Sequence, residues 1–187
     1  GCRYLQFDDT VWAYLCDASQ LDEAAKRGDD VGRLQERYAR TINRALAAKP
    51  ADMTITRHVC RGNFRSTWIA SGGYEPVAET LLSRLAIDGY FLEYDTERAG
   101  GFEPLRFLPK GDKMVVLGLI TSKSGTLENK DDVKRRIDEA TRYVALDQLC
   151  LSPQCGFAST EEGNILTEDA QWSKLAEIVD IAREVWG

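Results

Sequence analysis

Short apolar runs rich in β-branched and aromatic residues alternate along this chain with longer segments whose apolar positions recur every three or four residues. The runs predict five strands, at Arg3–Phe7, Met53–Thr56, Tyr90–Glu93, Met114–Ile120 and Leu146–Leu151. Between them, one helical stripe runs through Val31, Leu34, Tyr38, Ile42 and Leu46, a second through Val77, Leu81, Leu82 and Leu85, and a third through Val133, Ile137, Ala140 and Val144. A last helix is predicted over Thr167–Trp186. Thr167 is its N-cap candidate, Glu168 and Asp169 put negative charge in the first turn, and Trp172, Leu175, Ile178, Ala182 and Val185 form its apolar face.

Strand followed by helix, repeated, implies an α/β fold with a parallel sheet covered by helices. Two architectures compete. An open doubly wound sheet of five strands is complete at this length, whereas a (β/α)8 TIM barrel takes about 250 residues. Yet the polar residues with chemical potential, Asp8, His58, Cys60, Glu93, Lys123 and Cys155, fall just after strand ends, and a barrel gathers those ends around one mouth. The chain also opens directly in a strand. The expectation is therefore that residues 1–187 are the C-terminal part of a single catalytic barrel domain, roughly its C-terminal five β/α units, with the N-terminal units absent. Ser71-Gly72-Gly73, Arg98-Ala99-Gly100-Gly101 and Lys123-Ser124-Gly125 follow strands and are expected to be mobile loops over the site.

Charge narrows the partners. With 24 basic against 30 acidic residues, a formal net charge of −6, the chain has no electrostatic footprint for nucleic acid or an anionic membrane. Its longest candidate membrane run, Met114–Ile120, falls well short of the about 20 residues a span needs. The N-terminal segment shows no basic region followed by a cleavage site, so the expected location is cytoplasmic. Five cysteines, an odd number at irregular spacing, read as reduced thiols rather than a disulfide framework.

The single histidine of the chain stands in His58-Val59-Cys60, so two metal-ligating side chains lie two residues apart on one side of an extended segment. With Glu93 at a later strand end and Cys155 after the last strand, they make a tetrahedral set of two thiolates, one imidazole and one carboxylate, whose soft sulfur selects zinc over magnesium or calcium. The spacing is not that of a zinc finger. The alternative is that Cys60 and Cys155 are small buried residues and His58 a satisfied polar group.

Four segments, Tyr4-Leu5-Gln6-Phe7-Asp8-Asp9, His58-Val59-Cys60-Arg61-Gly62-Asn63, Phe91-Leu92-Glu93-Tyr94 and Leu151-Ser152-Pro153-Gln154-Cys155-Gly156-Phe157, resemble the catalytic half of cobalamin-independent methionine synthase, especially its shorter bacterial relatives. The resemblance covers nearly the whole chain in the right order. It implies a (β/α)8 barrel in which His58, Cys60, Glu93 and Cys155 hold a catalytic Zn2+ ion. The implied reaction moves a methyl group from a folate-type donor, 5-methyltetrahydropteroyl glutamate, to the metal-activated thiol of homocysteine, giving methionine. Asp8 matches the aspartate that holds the homocysteine ammonium. A free thiol, with a pKa near about 8.5, is mostly protonated at neutral pH, and a coordinated one is deprotonated.

The departures bear on the donor. Full-length plant and enterobacterial-type enzymes of the family carry a folate-binding glutamate six residues after the Asp8 equivalent, where this chain has Tyr14. They also carry a proton-donating histidine after the fourth strand, and Lys123 occupies about that place as the candidate catalytic residue. The donor then stands open between a pterin, a corrinoid protein and a small methylated compound. The alternatives for the whole are a related zinc barrel using another thiol, or a non-catalytic zinc-binding homologue. Arg61 reads as an anion contact or part of a Gly62-Asn63 turn, and Trp68 with Tyr74 as an aromatic wall or local packing. An open sheet edge would leave the fragment seeking the missing N-terminal barrel portion or a second copy as partner.

Overall fold

The computed structural model describes residues 1–158 and 160–187. Strands β1 (Tyr4–Asp9), β2 (Thr54–Val59), β3 (Gly89–Glu93), β4 (Met114–Ile120) and β5 (Leu149–Pro153) form one parallel sheet in the order β1-β2-β3-β4-β5. That order excludes the doubly wound alternative, which requires the strand order to reverse at a switch point. β4 has the expected bounds. β1 and β2 run further than expected, to Asp9 and Val59, which brings Asp8 and His58 side by side in register. β5 begins later than expected because Leu146–Gln148 winds into a 3-10 turn.

Five α-helices accompany the strands: α1 (Val11–Tyr14), α2 (Ala18–Lys26), α3 (Val31–Leu46), α4 (Lys130–Thr141) and α5 (Glu168–Trp186), together with a π-helical segment at Glu79–Arg84. α1 and α2 had no counterpart in the apolar periodicity. α1 is a single turn, and α2 is started by a polar signal, the Asp17 carboxylate accepting from the Ser19 and Gln20 N–H groups. The helices pack against one another in chain order, α1 on α2, α2 on α3, α3 on the π-helical segment, and α4 on α5. They form one layer on one face of the sheet. Alternate strand residues Ile55, Val59, Tyr90, Leu92, Val115 and Leu117 are buried against it. The opposite face carries Gln6, His58, Phe91, Gly118 and Ser152, which line an open cavity. Among the described residues the sheet is open, with β1 and β5 each paired on one side.

α5 keeps most of its expected face, with Ile178 and Val185 packed against the core and Leu175 and Ala182 half-buried, but Trp172 is exposed and the most buried positions are Lys174, Glu177 and Ile181. Lys174 is fully buried, its ammonium donating to both Glu128 oxygens at 2.8 and 3.1 Å and to the Thr126 carbonyl at 2.7 Å. Sequence hydropathy cannot anticipate a buried lysine, because its partner comes from the loop after β4, about 46 residues away.

The glycine-rich loops make close contacts and hydrogen bonds with the rest of the fold. Gly72 has φ +114°, and a Cβ there would lie 2.1 Å from the Cys16 carbonyl oxygen, so no side chain fits. Its N–H donates to Arg98 O, and its carbonyl accepts from the Arg61 guanidinium at 2.7 Å. Gly73 and Gly100 touch back to back, closing these two loops on each other. Just before the third, Thr121 N–H donates to Glu128 and Asn164 Nδ2 to Ser122 O, and within it Lys123 N–H donates to the Thr121 hydroxyl.

Candidate metal centre

The parallel register puts the C-terminal strand ends at one edge of the sheet, and the chemistry-bearing residues collect there. Asp8 pairs with His58 across β1 and β2, and Glu93 ends β3 opposite Gly118 of β4. Cys60 follows β2, its N–H held by Asp9 O, and Cys155 follows β5. His58, Cys60 and Cys155 offer ligand atoms that all lie within 4.8 Å of one another.

The distances can be compared with what zinc requires. Cys60 Sγ and Cys155 Sγ stand 3.6 Å apart. A disulfide needs about 2.0 Å, whereas two sulfurs each about 2.3 Å from a tetrahedral ion are separated by about 3.8 Å. His58 Nδ1 is bonded to Asp8 Oδ1 at 2.9 Å, which leaves Nε2 as the ligand atom. Nε2 is buried, makes no hydrogen bond among the described residues and lies 3.4 Å from Glu93 Oε1. A nitrogen and an oxygen on one tetrahedral zinc ion are also about 3.4 Å apart. The donor set fits zinc on both measures.

Electrostatics lead to the same place. Burial pulls the His58 imidazole down, but the Asp8 and Glu93 carboxylates overcome it and lift its pKa to about 10. For Glu93 burial acts upward, and His58, Lys123 and the Arg61 N–H hold the carboxyl down at about 2. The Cys60 thiol is lowered to about 6 by the neighbouring Cys155 sulfur, against burial, with the Asn63 and Gly62 N–H groups assisting. Anionic sulfur and carboxylate around a buried Nε2 are what a cation at that atom requires. Cys155 itself has φ +24°, a sparsely populated region for a residue with a Cβ that costs about 1 kcal/mol or more. The turn swings its thiol toward Cys60.

Around the four stands a shell that the sequence reading did not assign to the site. Gln154, buried, donates from Nε2 to Glu93 Oε2 at 2.7 Å and accepts from the Thr121 hydroxyl. Arg98 donates to Glu93 and Asp95. Tyr74 is buried and latches the Glu93 backbone, its hydroxyl accepting from the N–H at 3.0 Å and donating to the carbonyl at 3.3 Å. It is packing for the site, not an aromatic wall for a ligand. Arg61 is fully buried over the Tyr74 ring and ties the Gly72 loop, so it is not an exposed anion contact. Only the position of Gln154 inside Ser-Pro-Gln-Cys-Gly hinted at any of this.

Two further expected residues flank the four. Asp8 is on the rim, its side chain 58% exposed, with one oxygen committed to His58. Lys123 is buried behind Glu93, its Nζ 3.8 Å from Asp95 Oδ2, and burial lowers its pKa against the pull of Asp95 and Glu93. Two cavities open on the centre. One, of about 260 Å³, lies on the bare face of the sheet beside Gln6, Asp8, Phe91 and Ser152. The other, of about 590 Å³, lies outside the two sulfurs beside Asp8, Phe64 and Ile69. Lys123 lines neither.

Comparison with known proteins places these features. Residues 1–184 match the family model described as cobalamin-independent synthase, catalytic domain. Two Bacillus subtilis proteins of uncharacterized function, YxjH and YxjG, are 61% and 59% identical over 186 residues, which is 100% of this chain and 49% of each of them. A solved Listeria monocytogenes structure, assigned by name to the vitamin-B12 independent methionine synthases, superposes over all of this chain and 49% of its own with a TM-score of 0.79 and 49% identity. A B12-independent methionine synthase from Shewanella sp. W3-18-1, solved with selenomethionine, shares the fold at a TM-score of 0.68 and 20% identity, over 99% of this chain and 49% of that one. This chain spans about half the length of the relatives it matches.

Proposed function

Because this chain belongs to the catalytic-domain family of the cobalamin-independent synthases, we propose that it carries the zinc centre of a thiol S-methyltransferase that forms methionine from homocysteine. The observation that carries the reading is the pair of spacings at the strand ends, 3.6 Å between the Cys60 and Cys155 sulfurs and 3.4 Å from His58 Nε2 to Glu93 Oε1. His58, Cys60, Glu93 and Cys155 are the proposed ligands. Bound there, zinc would hold the substrate sulfur as a thiolate at neutral pH.

The remaining roles belong to the chain. Asp8 fixes the His58 tautomer through Nδ1, and its exposed carboxylate faces the smaller cavity, where it would take the homocysteine ammonium. Gln154, Arg98 and the Arg61 N–H hold Glu93 in place. Lys123 neutralises the buried Glu93–Asp95 pair, so its proposed part is to position Glu93 rather than to deliver a proton. A sheet in unbroken strand order with helices on one face supports a further proposal, that these five units are a section of a (β/α)8 barrel whose interior is the bare face.

The test is metal content after purification without chelator. Wild type should hold about one zinc per chain, Cys155→Ser should hold none after dialysis, and homocysteine should bind the wild type only when zinc is present. A wild type that cannot be loaded with zinc would refute the reading.

A further inference from the structure

The two carboxylate oxygens of Glu93 are not equivalent. Oε2 accepts from Gln154 Nε2 at 2.7 Å and from Arg98 Nη2 at 3.3 Å, whereas among the described residues Oε1 accepts the Arg61 N–H alone, at 3.2 Å. An ionised carboxylate offers about four lone-pair directions, two on each oxygen. Both on Oε2 are therefore taken, and one on Oε1 remains, with the buried His58 Nε2 3.4 Å from that oxygen.

The backbone delivers Gln154 to Oε2. The β4–β5 ladder shifts register between Gly118 and Ile120, and the Gln154 N–H donates to Ile120 O at 2.8 Å, so the residue just past β5 is still held to β4. A Cβ on Gly118 would lie 3.1 Å from Leu92 O and 3.2 Å from Gln154 Cα, too close for unmoved neighbours, so the bare position lets the ends of β3 and β5 approach across β4. The amide is oriented as well. The Thr121 hydroxyl accepts the Lys123 N–H and donates to Gln154 Oε1 at 2.8 Å, which turns the amide nitrogen rather than its oxygen toward Glu93.

From this asymmetry we infer that Gln154 is a positioning residue that limits Glu93 to one oxygen, Oε1, as a metal donor, and so sets the preference of the centre for a four-coordinate ion over a larger one. The inference rests on the proposed zinc centre and deepens it. With Oε2 occupied, His58, Cys60, Glu93 and Cys155 contribute one atom each, the count that tetrahedral zinc takes. A carboxylate that turned both oxygens inward would add a further donor and suit a larger ion. Arg98 does not suffice for this, because its contact is longer and the same Nη2 is shared with Asp95 at 3.0 Å. Gln154 Nε2 has Glu93 as its acceptor, and being neutral it holds the oxygen without cancelling the carboxylate charge that faces the metal.

Gln154→Met keeps the length of the side chain and removes the donor. The readout is the visible spectrum of the chain loaded with Co2+, a substitute for zinc whose bands are intense when it is four-coordinate and weaken as donors are added. Wild type should give the intense bands, and Gln154→Met bands weaker by about twofold, with zinc affinity lower by about tenfold and the ratio of zinc to cadmium affinity lower by about threefold. Thr121→Val, which frees the amide to turn over, should shift the spectrum in the same direction, and Thr121→Ser, which keeps the hydroxyl, should restore it. The Thr121 pair decides the matter if urea unfolding shows that Gln154→Met does not fold. An unchanged cobalt spectrum in the folded variant overturns the inference and leaves the zinc centre standing, and so does a loss of zinc affinity without a spectral change, which would assign Gln154 to packing. A wild type that binds neither zinc nor Co2+ refutes the zinc centre itself and this inference with it.

Discussion

Replacing Lys174 by methionine keeps the bulk of the side chain in α5 and removes only its charge. The ammonium is fully buried and makes three short contacts, two with Glu128 and one with Thr126 O. Removing it leaves the Glu128 carboxylate with the Thr121 N–H at 2.9 Å, beside Glu177, whose carboxyl burial already pushes upward. Breaking a buried pair from one side costs about 3–5 kcal/mol when both charges are desolvated. Glu128 is 20% exposed, so water recovers part of that, and the expected loss is about 2–3 kcal/mol. For a domain of this size the change lowers Tm by about 4–12 °C. Urea unfolding measures it directly, and Lys174→Met with Glu128→Gln should recover about half, because the stranded charge has gone. A single variant within about 0.5 kcal/mol of wild type, or a double variant less stable than the single, would show that the pair does not fasten the loop after β4.

Two further outcomes follow from the geometry. Tyr74→Phe removes the hydroxyl that satisfies the Glu93 N–H, so unfolding should become easier by about 1–2 kcal/mol and zinc should pass to a competing chelator faster, whereas unchanged metal release would separate Tyr74 from the centre. Asp88 feels burial upward, but the Ile55 N–H and Lys49 outweigh it and hold its pKa below the ordinary value. Its contribution to stability is therefore complete above about pH 4 and lost as pH falls through the native value, so Asp88→Asn should lower stability at neutral pH, cost little at acid pH where Asp88 is already protonated, and thereby flatten the acid limb of a stability–pH curve. An acid limb as steep as that of wild type would count against the assignment.

Period and composition were enough for the alternation of strand and helix, because apolar spacing is a local property read against one sheet and one helix layer. The stripes through Val133 and Ile137 and through Leu81 and Leu82 are buried as their spacing requires, and β4 has the bounds its apolar run predicts. His58-x-Cys60 announced a pair of ligating atoms within one strand end, where two residues of extended chain suffice to align them.

What joined them to Glu93 and Cys155 was tertiary, since 95 residues separate Cys60 from Cys155 and only the parallel register brings their sulfurs to 3.6 Å. The same holds for the buried Lys174, legible as a surface residue until Glu128 arrives, and for Tyr74 and Arg61, whose aromatic and charged character suggested ligands but whose partners are Glu93 and Gly72. The sequence by itself determined which residue types were present to bind a metal and that the chain would build strands and helices in turn. The tertiary structure alone decided which polar groups satisfy one another and which remain turned toward a substrate, because hydrogen bonding and desolvation depend on neighbours that hydrophobic period does not encode.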